Sequence, residues 1–234
     1  MELNYIYEDN HIIVVEKPAG VLAQAGSLDL KDMLTEIKAY LKEKYQKPGA
    51  VFLGLVHRLD TNVAGVMVFA KTSKAAKRLN EEIRNRTFKK QYLAVVTGKL
   101  EINQNFELID NLKKDETKKK ALIVKDGKSA QLNFKVLGNN SSDGQEYSLL
   151  QINLITGRYH QIRSQLANFG SPIYNDYKYG KGINNEPLGL YAYKISFNHP
   201  TLKSVMTFKS WPKASVFKLF GKEINQLGGE EWDC

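Results

Sequence analysis

Three side chains that could take part in chemistry are crowded into one short polar segment, His57-Arg58-Leu59-Asp60. The segment lies between two apolar stretches, so it is expected to form a turn at the end of a strand. An Asp in such a turn most often accepts backbone N–H groups and caps the turn. An ionised carboxylate can also act as a nucleophile or a general base. The density of functional groups favours chemistry at Asp60 without deciding the question.

Arg163 is a second candidate, because it borders an apolar face. The pattern predicts a helix over Arg158–Phe169 whose apolar stripe consists of Tyr159, Ile162, Leu166 and Phe169. A guanidinium partly buried beside that stripe needs a carboxylate with matching fork geometry. A structural salt bridge, or a side chain that extends to solvent, would give the same pattern.

Arg158 and Tyr92 are further candidates. Arg158 follows Thr156-Gly157 at the predicted start of that helix, where backbone N–H groups and the helix dipole favour a phosphate. Tyr92 begins a strand directly after the basic pair Lys89-Lys90. A strand tyrosine usually packs in the core, but an aromatic ring beside cations can also stack on an unpaired base.

The elements that must position these residues are mainly strands. Two helices are predicted before residue 100, one with Leu30, Leu34, Ile37 and Leu41 on one face and ending before Pro48-Gly49, the other over Ser73–Arg86. Strands are predicted at Ile12–Val15, which the turn Lys17–Gly20 closes, at Val63–Ala70 and Gln91–Thr97, and at 120–125, 130–137, 146–154, 190–197 and 204–209. Helices and strands do not alternate regularly, which disfavours a doubly wound parallel sheet.

The fold class predicted from this order is α+β, with a long mixed or antiparallel sheet and few flanking helices. We expect one domain over residues 1–234, built as a single core or as two fused subdomains.

The charge balance points to a polyanionic partner. The 234 residues include 34 Lys+Arg and 25 Asp+Glu, a net charge of +9. Two stretches are strongly basic, Lys71–Lys90 with a net charge of +6 and Lys113–Lys128 with +4. Each alone is most simply a solvated surface, but two of them flanking one candidate site favour an RNA footprint.

Other classes of protein are disfavoured. No stretch approaches the roughly 18 apolar residues of a membrane span, and the start lacks a secretion signal, so a cytoplasmic protein is expected. The single cysteine, Cys234, cannot form a disulfide scaffold, and the histidines 57, 160 and 199 lack the spacing of a zinc helix. No phosphate-binding glycine loop or dinucleotide fingerprint is present.

Taken together, these motifs resemble the pseudouridine synthases of the RluA type. The resemblance spans Tyr7 to about Pro212, and five motifs in the right order are far more specific than any one of them. The matching residues are Glu8-Asp9, Val14–Val21, His57-Arg58-Leu59-Asp60, Val68–Thr72, Tyr92, Gly157–Arg163, Gly170–Ile173, Asp176, Tyr179-Gly180 and Phe197–Pro200. The resemblance implies one catalytic domain over residues 1–234 with a central catalytic cleft, at which any two subdomains would meet. It also implies that the small N-terminal RNA-binding domain of many family members is missing, because the catalytic pattern starts within ten residues of Met1.

The resemblance implies a role for each candidate residue. Asp60 would be the catalytic carboxylate, acting as a nucleophile or as the base that removes the ribose 2′ proton. Arg163 would pair with Asp60 and keep it ionised, and Tyr92 would stack on the uracil. RNA-binding residues would be Arg58, His57, Lys17, Arg158 and His160. The partner would be ribosomal or transfer RNA and the protein a monomer, and no metal or organic cofactor would be needed, because the net change is an isomerisation.

The sequence departs from the family pattern at three places. Val63-Ala64 stands where the family usually has Thr-Ser, Tyr159 where it has Thr, and Asn175 where it has Gly. These exchanges could alter the rigidity of turns or the fit of RNA.

Two rival functions make different demands on the sequence. A non-catalytic RNA-binding protein would need the basic surface but not Asp60, Tyr92 and Arg163 together. A hydrolase would need a second carboxylate as acid or base, and the sequence offers no convincing partner near Asp60.

Overall fold

A computed structural model of the chain describes residues 3–25, 32–182 and 187–228. The strands are β1 (Asn4–Glu8), β2 (Ile12–Lys17), β3 (Gly54–Leu55), β4 (Ala64–Ala70), β5 (Lys89–Thr97), β6 (Asn105–Asp115), β7 (Lys120–Ile123), β8 (Lys128–Ser142), β9 (Gln145–Leu154), β10 (Leu190–Asn198) and β11 (Val205–Lys209). The helices are α1 (Met33–Lys44), α2 (Ser73–Arg84), α3 (Gln161–Asn168) and α4 (Gly221–Gln226), the last of which follows a 3₁₀ helix at Ser215–Phe220.

The chain divides into two compact units. Unit 1 comprises Met1–Lys89 and Lys194–Ser210, and unit 2 comprises Lys90–Tyr193 and Trp211–Cys234. The prediction of one catalytic domain with a central cleft concerns the relation of these units and stays a prediction.

Unit 1 is built around β2 and β4. Strand β2 pairs antiparallel with β1 and β4, β4 also pairs with β3, and residues 194–198 of β10 pair antiparallel with β11. Helix α2 begins after Thr72, whose hydroxyl accepts the N–H of Ala75, and it buries Ala75 and Leu79. These residues join an apolar core that includes Ile12, Val14, Val56, Val66, Val68, Phe88 and Phe197.

Unit 2 is an antiparallel sheet against which α3 packs. Its strands lie in the order β5-β9-β8-β6-β7, and neighbouring strands pair antiparallel. Helix α3 buries Ile162 and Leu166. The rings of Phe106, Phe134 and Phe169 pack together, with centroids 4.8–5.6 Å apart. This core fixes α3, and therefore Arg163, against the sheet.

The predicted α+β class is confirmed, and the strands predicted from residues 12, 63, 91, 120, 130, 146, 190 and 204 are present with small shifts in their bounds. The first predicted helix is found as α1, where Ile37 and Leu41 are buried, while Leu30 lies outside the described residues. Strands β1, β3 and β6 and helix α4 were not predicted. No helix among the described residues is long and apolar enough to cross a membrane.

The helix predicted from Arg158 is wrong at its start. His160 precedes α3 with a φ of 48°, in the left-handed region that a right-handed helix excludes. Tyr159 therefore lies outside the helix and outside its apolar stripe, and 38% of its surface is exposed. Arg158 lies in the loop before α3, so its predicted place at the helix N-terminus is corrected.

Candidate active site

Asp60 lies in the loop that connects β3 to β4. Its carbonyl oxygen accepts the N–H of Val63 at 3.1 Å, which closes a tight turn directly before β4. The neighbouring Leu59 is buried and Asp60 itself is half-buried. The turn thus holds the carboxylate at the end of a core strand.

A fully buried lysine, Lys17, supports this loop. The Nζ of Lys17 donates to the carbonyl oxygens of Pro18 at 2.9 Å, Val21 at 2.7 Å and Thr61 at 3.0 Å. The N–H of Gly20 also donates to the Thr61 carbonyl, at 2.8 Å. Lys17 therefore ties the turn after β2 to the residue that follows Asp60.

Two opposing effects act on the pKa of Lys17. Burial lowers its pKa to about 7, while the nearby Asp60 carboxylate acts in the opposite direction. Three carbonyl acceptors require the three N–H groups of the protonated form. These contacts tie Lys17 to the Asp60 loop, and its predicted role in RNA binding stays a prediction.

His57 is also turned toward the protein, whereas Arg58 is not. The Nε2 of His57 accepts the backbone N–H of Val68 at 3.1 Å, and its ring packs against Phe88 at 5.5 Å. This bond ties the start of the loop to β4 and makes Nε2 an acceptor. Arg58 is exposed, so it is the residue of this segment best placed to meet a phosphate.

In unit 2, Arg163 makes the bidentate carboxylate contact that its position on α3 predicted. Its Nε donates to Asp176 Oδ2 at 2.8 Å and its Nη2 donates to Asp176 Oδ1 at 2.7 Å. Both side chains are buried, with 3% and 0% exposed. Backbone N–H groups of Lys178 and Tyr179 also donate to Asp176 Oδ1, so the carboxylate is itself fixed.

His160 extends this network on the other side of the guanidinium. Its Nε2 lies 3.3 Å from Arg163 Nη1, and its Nδ1 lies 2.9 Å from the Tyr179 hydroxyl. Because Arg163 can only donate, Nε2 is the acceptor and Nδ1 carries the proton. Burial and then the Arg163 charge lower the pKa of His160 to about 3. His160 is only 7% exposed and lies against Arg163, and its predicted direct contact with RNA stays a prediction.

In unit 2, Tyr92 is buried and Arg158 is exposed. Tyr92 lies on β5 opposite Ile152 and is 6% exposed. Arg158 is exposed, and its Nε donates to the carbonyl oxygen of Ser129 at 3.0 Å. The backbone around Arg158 is braced by Gln161, whose Oε1 accepts the Arg158 N–H at 3.0 Å.

The structure brings together two groups of predicted site residues. Lys17, His57, Arg58 and Asp60 share one loop region of unit 1, and Arg158, His160 and Arg163 share one region of unit 2. The predicted pairing of Asp60 with Arg163 and Tyr92 joins the two units and stays a prediction. No group of three or more His, Cys, Asp or Glu that could hold a metal ion occurs in residues 3–25, 32–182 or 187–228.

Comparison with known proteins decides the family. The sequence profile of the RNA pseudouridylate synthase family matches residues 11–168. The chain belongs to this family. An RNA pseudouridine synthase of Bacillus subtilis that is uncharacterised is 33% identical over 205 residues, which cover 85% of this chain and 65% of the relative. The ribosomal large subunit pseudouridine synthase D of Nitrosomonas europaea is 30% identical, over 89% of this chain and 61% of the relative. The RluA-type resemblance is confirmed.

The chain is shorter than these relatives. It spans about two thirds of their length: 65% of the first and 61% of the second. Among solved structures, the human RNA pseudouridylate synthase domain containing 4 has a TM-score of 0.71 at 20% identity, over 95% of this chain and 93% of that one. This likeness shows the pseudouridylate synthase fold.

One departure from the family pattern has a structural account. Asn175, in place of a usual Gly, has a φ of 56°, and Asn is among the residues that best tolerate this left-handed conformation. The turn that leads to Asp176 is therefore kept. Gly65, which follows Val63-Ala64, has a φ of 137° and keeps the glycine that this backbone favours. Nothing in the described contacts explains the exchange of Thr-Ser for Val63-Ala64.

Sequence reasoning gave no role to Asp176 and Tyr179, although both were part of the resemblance. The available signal was that Asp176 follows a buried arginine within 13 residues and opens the segment Asp176-Tyr177-Lys178-Tyr179. A search for the carboxylate that Arg163 needs within its own half of the chain would have found it.

Proposed function

We propose that this protein is an RNA pseudouridine synthase that isomerises specific uridines of ribosomal or transfer RNA. The observation that carries the proposal is the family match over residues 11–168, which includes Asp60, Tyr92 and Arg163 in one continuous stretch. The reaction breaks the bond between uracil and ribose, turns the base and rejoins it through carbon. The target base must first leave its stack.

Asp60 is the catalytic carboxylate in this proposal. It attacks the nucleotide or removes the ribose 2′ proton, and both roles need an ionised carboxylate beside the sugar. The support for this assignment is the rigid loop around Asp60, fixed by Lys17 from one side and by His57 from the other. A fixed carboxylate loses little free energy to reorganisation during the reaction.

Arg163 and Tyr92 complete the catalytic group that we propose. Arg163 pairs with Asp60 and keeps it ionised, and Tyr92 stacks on the uracil and assists the final proton removal. The contacts of Arg163 with Asp176 and His160 support its part, because they leave the guanidinium a single orientation. Without that support, an arginine side chain would sample many rotamers.

The remaining roles follow from exposure. Arg58 and Arg158 are exposed and bind the flipped nucleotide and its neighbouring phosphates, while Lys17, His57 and His160 position the loop and the arginine. The base stays bound throughout, so the isomerisation needs no metal or organic cofactor. We propose a cytoplasmic monomer that has RNA as its partner.

The test is the exchange of Asp60 for Asn in the full chain. We expect Asp60→Asn to abolish pseudouridine formation in total RNA while RNA affinity persists, because the amide can neither attack nor accept a proton. Pseudouridines would be mapped in RNA from cells that carry wild-type protein, the variant or no copy of the gene.

The matched control is Asp126→Asn, the same exchange at an exposed turn residue. It should leave the pseudouridine map unchanged. Full activity of Asp60→Asn would contradict the assignment, and release of free uracil by the wild type would indicate a hydrolase instead.

A further inference from the structure

Tyr159 presents an aromatic ring to solvent directly beside the arginine network. It is 38% exposed, and its ring is stacked on the His160 imidazole with centroids 3.9 Å apart and planes 18° from parallel. His160 in turn lies 3.3 Å from Arg163 Nη1. The exposed Tyr159 ring therefore contacts the same imidazole that contacts the Arg163 guanidinium.

The ring is held in place by the hairpin of β6 and β7. The Tyr159 hydroxyl donates to the carbonyl oxygen of Lys119 at 3.2 Å, and Lys178 Nζ donates to the same oxygen at 3.0 Å. The Tyr179 hydroxyl accepts the N–H of Ala121 at 2.5 Å. Three side chains of the arginine region thus fasten the tip of this hairpin, so the ring has little conformational entropy to lose on binding.

The hairpin tip is rich in cations. Exposed lysines of this tip are Lys113, Lys114, Lys118 and Lys119. Lys114 Nζ lies 5.0 Å from the centre of the Tyr159 ring and also pairs with Glu116 at 2.6 Å. Burial lowers the pKa of His160 to about 3, so the ring beneath Tyr159 carries no charge at neutral pH. An exposed ring with lysines around it is suited to an unpaired nucleotide, whose base offers a π face and whose phosphates are anionic.

We propose that Tyr159 stacks on an unpaired base of the RNA that lies beside the target uridine, while Lys114 and Lys119 bind the flanking phosphates. The inference rests on the proposed function and adds a specificity-determining contact to it.

A purely structural role for Tyr159 makes a different prediction. If the side chain serves only to fasten the hairpin, its hydroxyl matters, and Tyr159→Phe should weaken RNA binding as much as Tyr159→Ala. If the ring stacks on a base, Tyr159→Phe keeps the affinity, while Tyr159→Ala and Tyr159→Thr lose it.

The experiment measures the affinity of the full chain for two probes by fluorescence anisotropy. One is a labelled single-stranded RNA of mixed sequence, about 12 nucleotides long, and the other is an abasic ribose-phosphate chain of the same length. We expect Tyr159→Ala to weaken binding of the RNA roughly tenfold and to leave binding of the abasic chain unchanged. The double exchange of Lys114 and Lys119 for Gln should weaken both.

The matched control is Tyr177→Ala, because Tyr177 is 39% exposed and belongs to the same unit. It should bind both probes like the wild type. Equal losses in Tyr159→Ala and Tyr177→Ala, or a loss for the abasic chain in Tyr159→Ala, would overturn the stacking contact. Thermal melting of each variant separates lost contacts from lost fold.

This contact and the proposed function can fail separately. Pseudouridine mapping tests the reaction, and the two probes test the stack. If the wild type forms no pseudouridine but shows the expected pattern with the probes, the stacking contact is supported and the proposed enzymatic function is contradicted. If pseudouridine forms normally and Tyr159→Ala leaves RNA affinity unchanged, the enzymatic function is supported and the stacking contact is contradicted.

Discussion

Arg163 can present only part of its guanidinium to a substrate or to a catalytic carboxylate. Its Nε and Nη2 are committed to Asp176, and its Nη1 faces His160. A buried bidentate pair is costly to desolvate, and its clearest benefit is a fixed orientation. The position of the arginine is therefore set by neighbours within its own unit, before any substrate binds.

The low pKa of His160 predicts a pH-dependent stability. An unfolded His gains a proton below about pH 6.5, whereas the folded imidazole gains one only near pH 3. The unfolded state therefore holds more protons between these values, and stability falls as the pH falls. Between pH 7 and pH 5 we expect wild type to lose about 2 kcal/mol more than His160→Asn. Asn is the chosen exchange because it tolerates the left-handed backbone at this position.

Urea unfolding of both proteins at the two pH values measures this difference. The remaining ionisable groups are the same in both proteins and their contributions cancel, so the comparison isolates residue 160. Equal losses of stability in wild type and His160→Asn would show that the imidazole gains a proton in the folded protein above pH 5, and would contradict the neutral network.

The types of the site residues could be predicted from the sequence, but not their burial. Asp60 and Arg163 were found because their spacing and neighbours are unusual for structural residues. The resemblance assigned Lys17 and His160 to RNA, whereas the structure shows that both side chains are buried. The three carbonyls around Lys17 come from two separate loops, and no local pattern shows that they converge.

At the level of elements, apolar periodicity predicted the core strands and α2 but not β6. The inward positions of β6 are Phe106, Leu108, Asp110 and Leu112, and its outward positions include Ile109, which is 63% exposed. The apolar alternation is broken at Asp110, whose carboxylate accepts a hydrogen bond from Nε2 of Gln165 on α3 at 2.7 Å. A search for alternating apolar residues therefore does not detect this strand, because one of its inward residues is polar and contacts another element.

Strand β1 was missed because its role is electrostatic as much as apolar. Glu8 lies at its end and accepts from Lys44 of α1 at 2.7 Å, from Lys71 at 2.6 Å and from the Tyr45 hydroxyl at 2.7 Å. The side chain of Glu8 is 10% exposed. One carboxylate therefore joins β1, the end of α1 and the end of β4.

Glu8→Gln should lower stability at neutral pH. Burial raises the pKa of Glu8, but hydrogen bonds from Lys44, Lys71 and Tyr45 outweigh it and lower the pKa from 4.5 to about 2. The stabilisation is complete above pH 4.5 and is lost as the pH falls toward 2. We expect Glu8→Gln to cost roughly 1–2 kcal/mol at pH 7, a value reduced because Lys44 is partly exposed, and much less at pH 3.

The control is Glu146→Gln, which removes an exposed pair with Lys99 at 3.8 Å. Its cost should stay within about 0.5 kcal/mol at both pH values. Urea unfolding gives both numbers, and a loss for Glu8→Gln that is the same at pH 7 and pH 3 would rule out the ionic contribution.

On the scale of the whole molecule, the net charge is +9, and each unit contains strongly basic sequence. In unit 1 the exposed cations of α2 include Lys74, Lys77 and Arg84. In unit 2 the β6–β7 region contains the basic stretch Lys113–Lys128, with a net charge of +4. RNA that engages both units releases counterions from both surfaces, so the charge of each should contribute to the salt dependence of binding.

We expect two triple variants to reduce this salt dependence independently. Lys74, Lys77 and Arg84 are exchanged for Gln in one, and Lys118, Lys119 and Lys125 in the other, so that each removes three exposed cations from one unit. For single-stranded RNA, the slope of log affinity against log salt should become shallower by about 2 in each variant, and by about 4 when all six are combined. A control with Lys42, Lys47 and Lys222 exchanged should keep the wild-type slope, because these exposed cations lie outside both basic stretches. If only one triple variant changes the slope, RNA binds one unit alone, and the expectation that both basic stretches contact the same RNA fails. Additive changes would instead require that both units contribute phosphate contacts to one bound RNA.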